Sequence, residues 1–281
     1  VMVNKILLCS DLDRTILPNG SQPESPQALP MLHAIASHSE LTLAYVSGRH
    51  EHLIRQAIEE YAIPVPAYAI GDVGTTIYKV DNDKWAVWPE WSEVIAEDWN
   101  GASHQDLLAM FTDLDILRLQ ETEKQNTFKL SYYSPVKFDR EGFLAEMQDR
   151  LTHQGIKASL IWSIDEAAEV GLLDVLPASS TKVHAVEFLM ECLDYDETNT
   201  VFAGDSGNDL PVLTSGRLQA VLVKNAHPDV VAEAKAELQK KQLASRLYVA
   251  QGDFLGMNGN YSAGVLEGLA HFIPRTVDWM R

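Results

Sequence analysis

What most constrains this chain is a pattern that occurs at both of its ends. Short continuous apolar runs alternate with segments of helical periodicity. The runs are residues 5–10, 41–46, 199–203 and 219–223, and the helical segments are 26–38, 49–60, 180–193, 207–214 and 228–241. Runs that lack apolar–polar alternation suit strands buried on both faces, as in a parallel sheet covered by helices. The expected core is therefore α/β, a doubly wound parallel-sheet, Rossmann-like fold.

The middle of the chain follows a different pattern. A hairpin-like stretch around "TTIYKVDNDKWAVW" leads into helices near 90–97 and 103–112, strands near 116–121 and 127–133, a helix at 139–154, and strands near 157–162 and 170–175. Strands mixed with a few helices imply an inserted α+β domain, a sheet with helices on one side. The expected division is a core of 1–81 and 177–281 and an insertion of 82–176, and 281 residues are enough for two moderate domains.

Composition narrows the function. Lys and Arg number 22 against 40 Asp and Glu, a net charge of −18, whose field disfavours nucleic acid and anionic lipid as partners. Any phosphorylated substrate must then be held by local cations or a metal. No apolar run reaches the roughly 18 residues of a membrane span, and the first residues do not read as a signal peptide. Val1, ahead of Met2, is given no structural role. Cys9 and Cys192 supply neither a disulfide framework nor a zinc quartet, and a soluble, cytoplasmic protein is the expectation.

Ligands of open α/β sheets bind at the carboxyl ends of the strands. Asp11 and Asp13 close the first strand, Ser47, Gly48 and Arg49 close the second, and "GDSGND" (204–209) closes the strand at 199–203. Four carboxylates, Asp11, Asp13, Asp205 and Asp209, would repel one another in one crevice, and a hard cation such as Mg²⁺ among them would offset that repulsion. Ser47 at a helix start and Lys182 at the start of another would favour a bound phosphate. A calcium loop is excluded, because its sixth position is Ile16 and its twelfth Gln22. His50 and His52, two apart on a helix, face different ways. Trp85, Trp88, Trp91 and Trp99 read first as a small domain's core.

"DLDRT" at 11–15, "VSGR" at 46–49, Lys182 and "GDSGND" at 204–209 agree in order and spacing with the four motifs of the haloacid dehalogenase superfamily, which this chain resembles. "LLCSDLDRT", "LAYVSGRH", "DVGTTIY", "FKLSYY", "LDVLP", "VFAGDSGNDLPVL", "VKNAHPD" and "SAGVLEGLAHF" resemble most the sucrose-phosphate phosphatases. The resemblance implies an α+β cap domain inserted into the core and Mg²⁺-dependent hydrolysis of a sugar phosphate, sucrose 6-phosphate first. Asp11 is implied as the nucleophile that forms an aspartyl-phosphate, and Asp13 as the acid and then the base. Asp11, the carbonyl of Asp13, Asp205 and Asp209 are implied around the metal. Ser47, Gly48, Lys182 and Asn208 are implied at the phosphoryl group, and Lys129 in "FKLSYY" at the sugar. Other sugar phosphates, mannosylfructose-phosphate and glucosylglycerol-phosphate, remain open. So does a non-catalytic module partnering a sucrose-phosphate synthase, and such a synthase is an implied partner.

Overall fold

The apolar run at residues 5–10 becomes β1 (Ile6–Asp11), buried at every position. The structure, a computed structural model, describes residues 4–281, so Val1 lies outside the described residues. After β1 come α1 (Ala28–Ala36), β2 (Leu41–Val46), α2 (Glu51–Tyr61), β3 (Tyr68–Gly71), β4 (Thr76–Asp81) and β5 (Lys84–Val87). The next stretch holds α3 (Pro89–Ala96), α4 (His104–Met110), β6 (Arg118–Leu119), β7 (Leu130–Ser134), α5 (Arg140–His153), β8 (Ala158–Asp165) and β9 (Val170–Pro177). The last holds α6 (Lys182–Cys192), β10 (Thr200–Gly204), α7 (Leu210–Leu213), β11 (Gln219–Leu222), α8 (Pro228–Lys240), β12 (Leu247–Val249) and α9 (Ser262–Phe272). Two compact units result, one of Val1–Val87 with Lys182–Arg281 and one of Trp88–Thr181.

In the first unit eight strands lie in the order β12-β11-β10-β1-β2-β3-β4-β5. The six from β12 to β3 are parallel, as the unalternating apolar runs require. Ile6, Leu8, Leu43, Tyr45, Val201 and Val221 pack with Leu32 and Ile35 of α1, Ile54 of α2 and Leu266 and Leu269 of α9 in one buried cluster. Alternate residues Leu7, Cys9 and Phe202 are as fully buried, and α6 and α7 lie against β3, β10 and β11. Burying one such Leu or Phe contributes about 1.5–3 kcal/mol. The α/β expectation holds, and the winding reverses between β1 and β10, where such sheets bind ligands.

The units part at Val87/Trp88 and Thr181/Lys182, a few residues later than the sequence boundaries of 81/82 and 176/177. The reason is long-range pairing: the hairpin β4–β5 joins the large sheet antiparallel through β3, with Ala69 opposite Tyr78 and Tyr78 opposite Val87. Trp85 on that hairpin accordingly packs near Tyr78, ring centroids 5.9 Å apart, with the Arg55 guanidinium over it.

The second unit is a four-stranded antiparallel sheet, β6-β7-β9-β8. Leu130 and Tyr132 of β7 and Leu173 and Val175 of β9 point to one face, where they pack with Trp99, Leu107, Phe111, Met147 and Leu151. Trp91 and Trp99 are core residues, as their type leads one to expect. The residues between them, Ser131 and Asp174, are paired across the ladder and share the opposite face, with the Ser131 hydroxyl donating to Asp174 at 2.6 Å.

Candidate active site

Three strands of the first unit end side by side: Asp11 is the last residue of β1 and pairs with Val46 of β2, while Ser10 pairs with Ala203 of β10. Ser47 follows β2 directly and Asp205 follows β10. The parallel register alone therefore gathers Asp11, Ser47 and Asp205 at one edge of the sheet.

Asp209 reaches the same place by a tight turn. Its Oδ2 accepts from the backbone N–H of Asp205 at 3.1 Å and of Ser206 at 3.3 Å, which folds the "GDSGND" segment back on itself. That fold needs Gly204, because a Cβ there would lie 2.7 Å from Asp209 Oδ2. Gly204→Ala is expected to cost about 1–3 kcal/mol, the range for overpacking, and to reduce turnover with it. Unchanged thermal unfolding of that variant would contradict the account.

Asp11, Asp205 and Asp209 each offer one carboxylate oxygen within 4.8 Å of the others, and all three are buried. Lys182, the first residue of α6, stands 3.8 Å from Asp11 Oδ1 and 3.6 Å from Asp209 Oδ1. At 3.6 Å the second contact is too long for a hydrogen bond, and the buried Asp209 Oδ1 has no such partner. Burial, together with the charges of Asp209 and Asp205, pushes Asp11 up to about 9 against the lowering pull of Lys182. Asp205 is raised by burial and by Asp209, although Asp11, Arg14 and Thr15 oppose this. Arg14 Nε lies 3.3 Å from Asp205 Oδ2, and the Thr15 hydroxyl donates to Oδ1 at 3.2 Å.

Of the three buried carboxylates, Asp11 and Asp209 face the Lys182 ammonium and Asp205 the Arg14 guanidinium, and one of their buried oxygens has no hydrogen bond, which leaves room for a further positive charge. Oxygen donors without histidine or thiolate suit a hard cation, so the residues fit Mg²⁺ in kind.

The Asp13 carboxylate is not in this cluster. It is gripped by Arg49, Nη2 to Oδ1 at 2.6 Å and Nε to Oδ2 at 3.2 Å, and it accepts from Asn19 Nδ2 at 2.8 Å. Burial raises its pKa, but the hydrogen bonds of Arg49 and Asn19 and the charges of Arg49 and Arg14 outweigh burial and hold it below the usual range. Arg49, Arg14, Thr15 and Asn19 were not singled out by the sequence as site residues, although the first three lie within the quoted motifs.

Ser47 is 1% exposed, and its Oγ accepts from the Arg49 N–H at 3.0 Å. It does not open a helix as expected: α2 begins at Glu51, and the intervening residues form a turn. Gly48 is exposed, and Asn208, also exposed, accepts from the Ser206 hydroxyl. Lys129 belongs to the second unit and precedes β7, its side chain largely buried. Its ammonium donates to the Lys124 carbonyl at 2.6 Å and lies 3.9 Å from Asp174, which the sequence did not mark.

Comparison with known proteins shows the family and the fold. The model of the family "Sucrose-6F-phosphate phosphohydrolase" matches residues 4–273. A HAD-like hydrolase of Nitrosococcus oceani is 56% identical over 279 residues, covering 99% of this chain and 75% of the relative. A mannosylfructose-phosphate phosphatase of Agrobacterium fabrum is 24% identical over 95% of this chain and 96% of its own length. The crystal structure of a sucrose-phosphatase from Synechocystis, in complex with sucrose and phosphate, superposes with a TM-score of 0.67 at 27% identity, covering 95% of this chain and 98% of that one. Against a matched Arabidopsis thaliana relative the chain spans 60% of the length. Among the described residues no helix is long and apolar enough to cross a membrane.

Proposed function

We propose, for a chain that belongs to the sucrose-6F-phosphate phosphohydrolase family of phosphoric monoester hydrolases, that its substrate is sucrose 6-phosphate and its products are sucrose and phosphate. The observation that carries the phosphatase chemistry is the set Asp11, Asp205, Asp209 and Lys182 at the sheet's reversal point, with Asp209 Oδ1 buried and without a hydrogen bond, and the family match over residues 4–273 supports the sugar.

The chain's residues divide the work as follows. Asp11, its proton first lost to solvent, attacks phosphorus through one carboxylate oxygen, the P–O bond to the sugar breaks, and the sugar oxygen takes a proton from Asp13. Water then attacks the aspartyl-phosphate, Asp13 accepts its proton, and phosphate leaves with Asp11 restored. The Arg49 grip keeps Asp13 in the carboxylate form that suits the second step. The first step needs a proton on Asp13, so that grip must loosen when the ester is bound. Ser47, Gly48, Lys182 and Asn208 hold the phosphoryl oxygens, placing donors where negative charge collects. Asp11, Asp205 and Asp209, with the carbonyl of Asp13, would hold Mg²⁺, which when bound supplies positive charge against the phosphate. Sugar recognition is assigned to the second unit, with Lys129 as its named residue.

The test is phosphate release from sucrose 6-phosphate, fructose 6-phosphate, glucose 6-phosphate and mannosylfructose-phosphate, each with and without chelator. The expected result is a chelator-sensitive preference for sucrose 6-phosphate of at least about 10²-fold in kcat/KM, since polar cap groups left unpaired by a wrong sugar discriminate strongly. Preference for mannosylfructose-phosphate would favour the second reading, which the near full-length match to the Agrobacterium phosphatase supports. No release from any of them would overturn the enzymatic reading and favour a module bound to a synthase. A cytoplasmic location and a sucrose-phosphate synthase as partner belong to the same proposal, the latter tested by co-elution.

A further inference from the structure

The loop after β3 has a backbone that its side chains do not favour. Asp72, Val73 and Gly74 all have positive φ, at 52°, 54° and 97°. For Gly74 this is unremarkable in steric terms, and Asp tolerates it, but a β-branched residue in the left-handed region is an outlier held in place by its surroundings. Strain of this kind persists where the surrounding structure over-determines it, and such places are often functional.

What holds the loop, and what the loop holds, is the turn after β2. The Asp72 N–H donates to the Arg49 carbonyl at 2.9 Å and the Val73 N–H to the Gly48 carbonyl at 3.3 Å. Gly71 permits the approach, since a Cβ there would lie 2.9 Å from the Arg49 oxygen. On the other side, Tyr78 donates to Asp72 Oδ2 at 2.8 Å, and the Thr75 hydroxyl donates to the Asp72 carbonyl at 2.8 Å. A Cβ on Gly48 would meet Val73 Cγ1 at 3.6 Å, so the branched side chain lies against Gly48 itself.

The consequence runs through one peptide plane. Fixing the Gly48 carbonyl toward Val73 fixes the other end of the same peptide, the Arg49 N–H, which donates to Ser47 Oγ. An oxygen that accepts there has its own proton directed elsewhere, and the Ser47 O–H donates to no acceptor among the described residues. We infer that Val73 is a positioning residue: its left-handed backbone and branched side chain set the Gly48–Arg49 peptide so that the Ser47 hydroxyl is aimed as a donor at the substrate's phosphoryl group. This rests on the phosphatase reading of the same site.

The test is a double-mutant cycle with Val73→Gly and Ser47→Ala, read by kcat, KM, inhibition by inorganic phosphate and thermal unfolding. Glycine accepts the left-handed backbone freely but lacks the branched side chain that lies against Gly48. Val73→Gly is expected to keep or raise Tm while lowering kcat/KM about tenfold and weakening phosphate inhibition, and to have little further effect once Ser47 is Ala. Val73→Asn, which tolerates positive φ and keeps a side chain, should restore most of the rate. Full activity in Val73→Gly while Ser47→Ala is impaired would overturn the positioning role and leave the phosphate site standing. An equal loss in both backgrounds, or a loss that tracks a fall in Tm, would overturn it as well. Undiminished turnover in Ser47→Ala alone would remove the phosphate-site reading and the inference together.

Discussion

Asp11→Asn is expected to lower phosphate release by about 10³-fold or more, the equivalent of roughly 4 kcal/mol of barrier, while making the protein harder to unfold. The first half follows from the proposed role of Asp11 as the atom that bonds to phosphorus, for which an amide is a poor substitute. The second half follows from the site's electrostatics. Asp11 is buried beside Asp205 and Asp209; Lys182 faces Asp11 and Asp209, and Arg14 faces Asp205. An amide there needs neither a proton taken up on folding nor an ionised form held against its acidic neighbours, so the folded state is relieved of that cost. A purely structural carboxylate behaves in the opposite way, because removing one partner of a buried ion pair leaves the other uncompensated. Steady-state assays and thermal unfolding on the same preparation check both halves. Turnover near the wild-type rate would eliminate Asp11 as nucleophile, and a lower Tm would show that the cluster serves the fold.

How much of this could be read beforehand depended on whether the signal was local. Asp11, Asp205 and Asp209 were legible because each closes or closely follows an apolar strand, and a parallel sheet brings such ends together without any side-chain information. The inserted unit was legible because the periodicity changes in its middle. The place of β4 and β5 was not, since pairing of Ala69 with Tyr78 leaves no mark on either segment alone. Nor was the ion pair between Asp13 and Arg49, which are 36 residues apart and meet only through the turn after β2. The helix start assigned to Ser47 failed for a related reason. "SGRH" resembles a helix opening, but its carbonyls at Gly48 and Arg49 are claimed by the loop at Asp72 and Val73, and the helix begins later. The left-handed Val73 has no sequence signature, since a β-branched residue is among the last expected there. The fold's framework was therefore readable from strand ends, whereas the orientation of Asp13 and Ser47 depended on contacts between distant loops.

The same cluster makes a second large effect predictable, the coupling of stability to pH and to a divalent cation. The folded protein holds Asp11 at about 9, against about 3.9 for an ordinary Asp. Between those values the folded state binds more protons than the unfolded one, so stability is greatest at the acidic end of the window and falls as pH rises toward 9. Asp205 is shifted in the same direction, and Asp13, shifted down, acts only near and below its ordinary value. The metal-free protein should accordingly lose Tm from pH 5 to pH 9, a trend that Asp11→Asn should flatten. A cation that takes these oxygens must displace the proton, so its binding strengthens along the same window. At about a hundred times its dissociation constant it should add about 2.7 kcal/mol, which for a unit of this size is about 5–10 °C in Tm. Thermal unfolding with Mg²⁺ or with chelator, at pH 5.5 and at pH 8.5, measures both trends. The shift should be several-fold larger at pH 8.5; a shift equal at the two pH values, or a metal-free Tm that climbs from pH 5 to 9, would mean that the three carboxylates do not share a proton that the metal replaces.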